Sequence, residues 1–209
     1  MAYFNTMRDS APFALGISRS TPELKKLKSP PPQILAPPHD LAPKTYVCDL
    51  WAVNGTLDNA QVKIEIRLYD IATGVLCDEK SLDSLSLLSN RTTELMEDLS
   101  VDDKTAVQAI MRDTHNGHVI ARASDWPQPL KYVTLCTSPD VDVSVLDDKL
   151  EIRARAPAKG LVVSVVPDDR DVDFEDNGVD VFPDDVYTIL APGLKKDDKV
   201  DVRYYGSDF

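Results

Sequence analysis

Apolar and polar side chains alternate along most of the chain after Lys44. The clearest example is the segment from Gln61 to Tyr69, in which every second residue is apolar. Its apolar positions are Val62, Ile64, Ile66 and Leu68, and its charged positions are Lys63, Glu65 and Arg67. A period of two residues is typical of a β-strand with one buried face, because successive side chains point to opposite sides of the backbone. The pattern therefore predicts a half-buried strand in this segment.

Further short segments of the same kind surround this one. They are Thr45–Val53, Val75–Cys77, Arg91–Met96, Thr105–Met111, His118–Ala123 and Leu130–Cys136. Asn116-Gly117 is a strong hairpin-turn signal, since both residues tolerate the positive φ that a tight turn requires. Short strands that recur about every 8–12 residues are typical of an immunoglobulin-like β-sandwich. We place this first sandwich at residues 45–128.

A second group of short alternating segments follows and predicts another small sandwich at residues 129–209. The group comprises Val141–Val145, Leu150–Ala154, Leu161–Val166, Val172–Phe174, Val186–Leu190 and Val200–Tyr205. Proline residues fall between these segments, where the missing N–H donor disturbs a β-ladder least. The predicted fold class is therefore all-β, with two immunoglobulin-like β-sandwiches in tandem.

The residues before the first sandwich have a different character. Tyr3, Phe4 and Met7 fall at helical spacing and predict a short helical stub within an apolar segment at residues 1–20. Residues 21–44 contain the prolines Pro22, Pro30, Pro31, Pro32, Pro37, Pro38 and Pro43. Each proline fixes φ and removes a donor, so we interpret residues 21–44 as a proline-rich, extended linker. A ligand for a proline-recognising domain is the alternative interpretation.

The net charge of −12 narrows the classes of partner. An acidic surface repels phosphate, so we expect no nucleic-acid partner and no adhesion to an anionic membrane. No segment approaches the roughly 18 consecutive apolar residues of a membrane-spanning helix. Residues 1–20 lack the basic and apolar regions of a secretory signal, which favours a cytoplasmic location.

The cysteine and histidine residues predict no cofactor. The three cysteines, Cys48, Cys77 and Cys136, are far apart in the sequence. An odd and sparse set argues against a disulfide framework, and the absence of paired Cys or His ligands argues against zinc. We therefore expect no metal centre of this type and no bound cofactor.

One loop has a spacing that resembles a calcium site. Asp173, Glu175 and Asn177 alternate before a glycine, and Asp184 follows at the end of the loop. This spacing partly matches the oxygen ligands of an EF-hand loop. The flanking residues are strand-like instead of helical, so we favour a structural turn and keep calcium binding as the alternative.

The two tryptophans raise the question of sugar binding, since an aromatic face can stack on a sugar ring. Trp51 lies in an alternating strand, and we expect it in the core. Trp126 lies in a proline-rich segment, and we expect it to be semi-exposed and packed at the junction between the two sandwiches. The predicted junction residues are Trp126, Pro127, Pro129 and Tyr132. Sugar contact by Trp126 is the alternative.

Several segments together resemble the C-terminal region of a fungal-type β-mannosidase of glycoside hydrolase family 2. In chain order they are Ala2–Phe4, Met7-Arg8, Ala11–Arg19, Val47–Asn54, Leu68–Gly74, Asp125–Tyr132 and Phe174–Pro183. The first three resemble the seam that follows the last helix of the catalytic barrel. Asp125–Tyr132 resembles the connection between the two C-terminal sandwiches.

The resemblance implies a parent enzyme that removes terminal β-D-mannose residues from oligosaccharides with retention of configuration. Such chemistry uses two carboxyl groups about 5–5.5 Å apart. The family holds them in an (α/β)₈ barrel of about 250 residues. No catalytic glutamate of the family corresponds to a residue of this chain, so we assign no catalytic residue.

We therefore expect a non-catalytic accessory region whose partner is the barrel of a β-mannosidase, with oligosaccharide bound through the parent enzyme. The chain alone is predicted to be inactive. A stand-alone carbohydrate-binding or structural β-sandwich module is the alternative, and so is the remnant of a truncated coding region.

Overall fold

The computed structural model describes residues 11–22, 45–167 and 172–207. The predicted helical stub, and all of the predicted linker after its first two residues, lie outside the described residues. The described residues form two compact units. One unit comprises residues 11–22, 45–70 and 76–134, and the other comprises residues 71–75, 135–167 and 172–207. The domain boundaries inferred from the sequence remain predictions.

The all-β prediction is confirmed. The first sandwich consists of β1 (Phe13–Ser20), β2 (Thr45–Asn54), β3 (Ala60–Asp70), β4 (Leu76–Leu87), β5 (Arg91–Asp102), β6 (Thr105–Asp113) and β7 (Val119–Asp125). The second consists of β8 (Asp142–Leu146), β9 (Lys149–Arg153), β10 (Ala158–Val166), β11 (Val179–Val181), β12 (Tyr187–Leu190) and β13 (Lys199–Arg203).

Two antiparallel sheets form the first sandwich. One sheet has the strand order β1-β2-β5 and the other has the order β4-β3-β6-β7. Their inner faces contribute alternate residues to one core, which includes Cys48, Leu50, Ala52, Val62, Ile64, Ile66, Leu68, Val107, Ala109 and Met111. The alternation predicted for β3 is confirmed, because its apolar residues all lie in this core.

The first strand is one that the sequence analysis missed. Phe13–Ser20 pairs antiparallel with β2, from the pair Phe13 and Asn54 to the pair Ser20 and Val47. Phe13, Leu15 and Ile17 pack against the core of the sandwich. The partner strand lies beyond the proline-rich segment, so no local pattern could indicate the pairing.

Two predicted strands are wrong. Leu130–Cys136 is not a strand; it begins with a short 3-10 turn at Leu130–Tyr132 that follows Pro129. Val172–Phe174 is also not a strand, although the side chains of Val172 and Phe174 pack against the core of the second sandwich. Apolar alternation reports which side chains are buried, and a buried side chain does not require a paired backbone.

The second sandwich has two three-stranded sheets, with the orders β12-β9-β8 and β11-β10-β13. Its core is separate from the first one and consists of Leu150, Ile152, Ala154, Leu161, Val163, Val165, Val179, Val181, Tyr187, Ile189, Ala191 and Leu194. Each sandwich therefore has its own hydrophobic centre, which stabilises it by removing apolar area from water.

Candidate functional site

Trp51 lies on the outer face of the β1-β2-β5 sheet. Its chain neighbours Leu50 and Ala52 both lie in the core, so the side chain of Trp51 points to the opposite side of the strand. The residue is half-buried. In the sheet register it lies between Gly16 of β1 and Glu94 of β5. The expectation that Trp51 is a core residue is therefore wrong.

The indole ring of Trp51 lies flat over Gly16. A Cβ atom added to Gly16 would be 2.2 Å from Cε2, 2.3 Å from Cζ2 and 2.5 Å from Nε1 of the indole. An atom that approached the indole in the plane of its ring would lie closer to Cζ2 or Nε1 than to the ring-fusion carbon Cε2. Here Cε2 is the closest atom, so the added Cβ would lie above the ring. One face of the ring therefore covers the glycine, as aromatic residues do for glycines in edge strands.

Trp126 and its neighbours follow β7. Trp126 is only 2% exposed, so the expectation of a semi-exposed ring is wrong. Pro127 is buried, and the peptide bond before Pro129 is cis. Tyr132 is 44% exposed, and the Nζ atom of Lys131 lies 4.7 Å from the centre of its ring. A role for these residues at the junction between the sandwiches remains a prediction.

The calcium candidate loop uses its asparagine to bind backbone. Oδ1 of Asn177 accepts a hydrogen bond from the backbone N–H of Val163 at 2.9 Å, and Nδ2 donates to the carbonyl of Val163 at 2.9 Å. The Asn177 side chain thus binds both backbone groups of Val163, as the backbone of a paired strand would. Asp173, Glu175 and Asp184 are exposed. Within the described ranges, no group of three or more His, Cys, Asp or Glu residues is suited to a metal ion, and calcium binding by this loop remains a hypothesis.

Acidic residues near this loop also have structural partners. The hydroxyl of Tyr187 donates to Oδ2 of Asp176 at 2.6 Å, and Nζ of Lys159 lies 3.1 Å from Oδ2 of Asp180. Asp185, at 6% exposure, is the one acidic residue that is buried in the part of the chain that the structure describes. The described residues therefore provide no pair of desolvated carboxyl groups of the kind that acid–base catalysis of glycoside hydrolysis uses.

An ion pair connects the two sheets of the first sandwich. Nε of Arg19, in β1, lies 2.5 Å from Oδ2 of Asp125, at the end of β7, and the two side chains are 6% and 18% exposed. The same guanidinium donates to the carbonyls of Asp102 at 2.9 Å and Thr105 at 2.7 Å. It also lies over the ring of Tyr46, 5.6 Å from its centre. Sequence analysis missed this site, because its parts come from distant strands.

The thiol of Cys48 lies beside this ion pair. Its Sγ atom is 4.0 Å from Oδ2 of Asp125. Burial raises the pKa of the Cys48 thiol to about 11, and the nearby charge of Arg19 only partly offsets this effect. The neutral thiol is therefore stable at physiological pH and behaves as a small buried apolar group.

Charged residues form a cluster on the outer face of the four-stranded sheet. The carboxylate of Glu65 is within 3.6 Å of Lys63, Arg67 and Arg112. Burial alone would raise the pKa of Glu65, but the hydrogen bond from Arg112 and the three positive charges outweigh it and lower the pKa. The three basic side chains thus neutralise the negative charge of a partly buried carboxylate.

Asn54 is a fully buried polar residue at the end of β2. Its Nδ2 donates to the carbonyls of Asp58 at 2.9 Å and Leu87 at 3.1 Å. Its Oδ1 accepts from the N–H and the hydroxyl of Thr56, at 3.0 and 2.7 Å. All hydrogen-bonding positions of the amide are occupied, so this asparagine connects the loop after β2 to the end of β4.

The sequence of the first sandwich matches a known domain family. Residues 47–132 match the family model of the Mannosidase Ig/CBM-like domain. The first sandwich is therefore similar to the immunoglobulin-like, carbohydrate-binding-module-like domains of this family.

The resemblance to a fungal-type β-mannosidase is also confirmed. The chain is 30% identical to beta-mannosidase B of Thermothelomyces thermophilus and 28% identical to beta-mannosidase B of Aspergillus niger, over 99% and 98% of its length. It spans about a quarter of either relative, 24% in both cases.

A solved structure is similar in fold to this chain. The beta-D-mannosidase of Dictyoglomus thermophilum is similar with a TM-score of 0.68 and 17% identity, over 99% of this chain and 23% of that one. The chain thus corresponds to an accessory, immunoglobulin-like region of β-mannosidases, and its relatives are larger enzymes. No helix in the described residues is long and apolar enough to cross a membrane.

Proposed function

We propose that this chain serves as the accessory region of a β-mannosidase and acts by supporting the catalytic domain of that enzyme. The parent activity would be retaining hydrolysis of terminal β-D-mannose residues from oligosaccharides. The observation that carries the proposal is the match of 99% of the chain to only 24% of the Thermothelomyces enzyme. A match of this kind is expected for one region of a multidomain protein.

The hydrophobic core inside each sandwich supports a structural role. Each has its own core of buried, mostly aliphatic residues, so each can act as a rigid support. Several described carboxylates bind groups of the same sandwich: Asp180 pairs with Lys159, and Asp176 accepts a hydrogen bond from Tyr187. We therefore propose that hydrolysis occurs outside these sandwiches and that the isolated chain has no glycosidase activity.

A chimaera tests the supporting role. In the Thermothelomyces enzyme, the aligned region is replaced by these 209 residues, and hydrolysis of an aryl β-mannoside is compared with that of the deletion variant. We expect the chimaera to retain activity and the deletion variant to lose it. The matched control carries Ile64→Asp, which places a charge in the first core and should reduce activity to that of the deletion variant.

Two results would overturn the proposal. One is a chimaera whose sandwiches are folded, as shown by circular dichroism, but which is no more active than the deletion variant. The other is measurable turnover of the aryl β-mannoside by the purified chain alone, which would assign catalysis to the sandwiches themselves.

A further inference from the structure

The chain contains three Asn-Gly dipeptides, which begin at Asn54, Asn116 and Asn177. In such a dipeptide the backbone nitrogen of the glycine can attack the side-chain amide carbon of the asparagine, because glycine has no side chain to hinder the approach. We propose that Asn116 is a site of spontaneous deamidation and that the fold protects Asn54 and Asn177 from the same reaction. This modification site does not depend on the proposed function.

The reaction consumes only water. The backbone nitrogen of Gly117 forms a bond to Cγ of Asn116 and loses its proton, the bond from Cγ to the amide nitrogen breaks, and ammonia leaves. Water then opens the resulting succinimide ring at either carbonyl and gives aspartate or isoaspartate. Nothing is oxidised or reduced in these steps. Both products add a negative charge, and isoaspartate also adds one carbon to the main chain of the turn between β6 and β7.

The turn between β6 and β7 leaves Asn116 open to this reaction. Asn116 and Gly117 are both exposed. Among the described residues, a Cβ atom built on Gly117 would have no atom within 4 Å apart from those of its chain neighbours. The amide of Asn116 has one hydrogen bond to the described residues, in which Oδ1 accepts from the backbone N–H of His118 at 2.8 Å. Ring closure and the entry of water therefore meet no steric obstacle there.

One backbone hydrogen bond opposes the attack at this turn. The N–H of Gly117 donates to the carbonyl of Asp113 at 2.9 Å. The bond lies at the exposed end of a hairpin, and exposed loops of this kind open locally at little cost in free energy. It slows ring closure without preventing it, because the turn can open while the core of the first sandwich stays intact.

Asn54 is protected by burial and by its contacts. Its side chain is fully buried, and both atoms of its amide group are held by hydrogen bonds. The N–H of Gly55 donates to the carbonyl of Pro12 at 2.8 Å, next to the pairing of β1 with β2. Attack on Cγ of Asn54 would require the side chain to rotate and these bonds to break. The end of the first sandwich would have to open, which is rarer than the opening of an exposed turn.

Asn177 is only partly buried, and its protection comes from its orientation. Its Oδ1 and Nδ2 bind the N–H and the carbonyl of Val163, each at 2.9 Å. The N–H of Gly178 donates to the same Oδ1 at 3.1 Å. A donor to an amide oxygen favours the plane of that amide, whereas a nucleophile must reach Cγ from above the plane. The contacts with Val163 therefore hold the amide away from the geometry that ring closure needs.

The test compares the three dipeptides in one sample. The purified full chain is incubated in mildly alkaline buffer and then digested briefly after Lys and Arg, which places the three asparagines in the separate peptides 45–63, 113–122 and 171–195. Mass spectrometry measures the mass increase from amide to acid, and an isoaspartate-specific methyltransferase detects the isoaspartate. We expect peptide 113–122 to be modified first and the other two at least about a hundredfold more slowly, since their opening is costlier.

Urea gives the matched control, because unfolding removes the protection and leaves each asparagine beside a glycine. In urea the three peptides should be modified at comparable rates. Asn116→Gln should remove the modification from its peptide, since closure of the larger ring is slower. Native Asn54 or Asn177 reacting as fast as Asn116 would overturn the proposal. A native Asn116 that stays intact, while all three asparagines react in urea, would overturn it as well.

Discussion

Replacing Arg19 by methionine should destabilise the first sandwich by about 3 kcal/mol, because it breaks a buried ion pair from one side. Arg19 is 6% exposed, and its guanidinium reaches Asp125 and the carbonyls of Asp102 and Thr105. Methionine retains the apolar stem of the side chain and removes the charged group. The decrease in unfolding free energy should therefore report the loss of the polar contacts and not a loss of packing.

The estimate follows from the burial of the two partners. Removing one member of a buried pair typically costs about 3–5 kcal/mol, since the other charge stays buried without its partner. Asp125 is 18% exposed and retains some contact with water, which places the cost at the lower end. Asp125→Asn keeps the shape and a hydrogen-bonding group, and should cost less than Arg19→Met.

The assay is urea unfolding followed by tryptophan fluorescence. Both tryptophans, Trp51 and Trp126, belong to the unit of the first sandwich, so their emission reports on that sandwich alone. Lys80→Met is the matched control, because the Lys80–Asp78 pair is exposed and should contribute little. If Arg19→Met changes the unfolding free energy no more than Lys80→Met, the ion pair does not connect the sheets in the way described.

Three further predictions concern the cysteines, Asn54 and Glu65 of the first sandwich. At about pH 8 a thiol reagent should react quickly with the exposed Cys77. Cys48 is buried and its pKa is raised to about 11, so it should react only after urea is added. Rapid reaction of Cys48 in the native chain would contradict its burial. Asn54→Ala should lower the unfolding free energy by about 2 kcal/mol in the same urea assay, because the buried carbonyl of Leu87 loses its donor. An unchanged unfolding free energy would mean that water replaces the amide. The pKa of Glu65 is lowered in the folded state, so its contribution to stability is present above its ordinary pKa of 4.5 and is lost as the pH falls below it. Glu65→Gln should therefore make the urea midpoint less sensitive to acidification, and an unchanged pH dependence would refute the assignment.

The strand pattern of the chain was accessible from local sequence. The alternation in β3 and the turn at Asn116-Gly117 were sufficient to predict paired strands, and the structure has β3 and the β6–β7 hairpin at these positions. The pairing of β1 was not accessible, because it depends on contacts across the proline-rich segment. The predicted strand at Leu130–Cys136 failed for the related reason that apolar residues there do not pair with a neighbouring backbone.

The two tryptophans show the same division. Local periodicity placed Trp51 in a strand, but it did not determine which face of the sheet is buried. That choice depends on the register between β1, β2 and β5, which brings Gly16 under the indole and Glu94 beside it. The sequence alone therefore determined that the chain is built from alternating strands in two sandwiches. Only the tertiary structure decided which tryptophan lies inside, because the side of a strand that meets the core is set by partners that are distant in the chain.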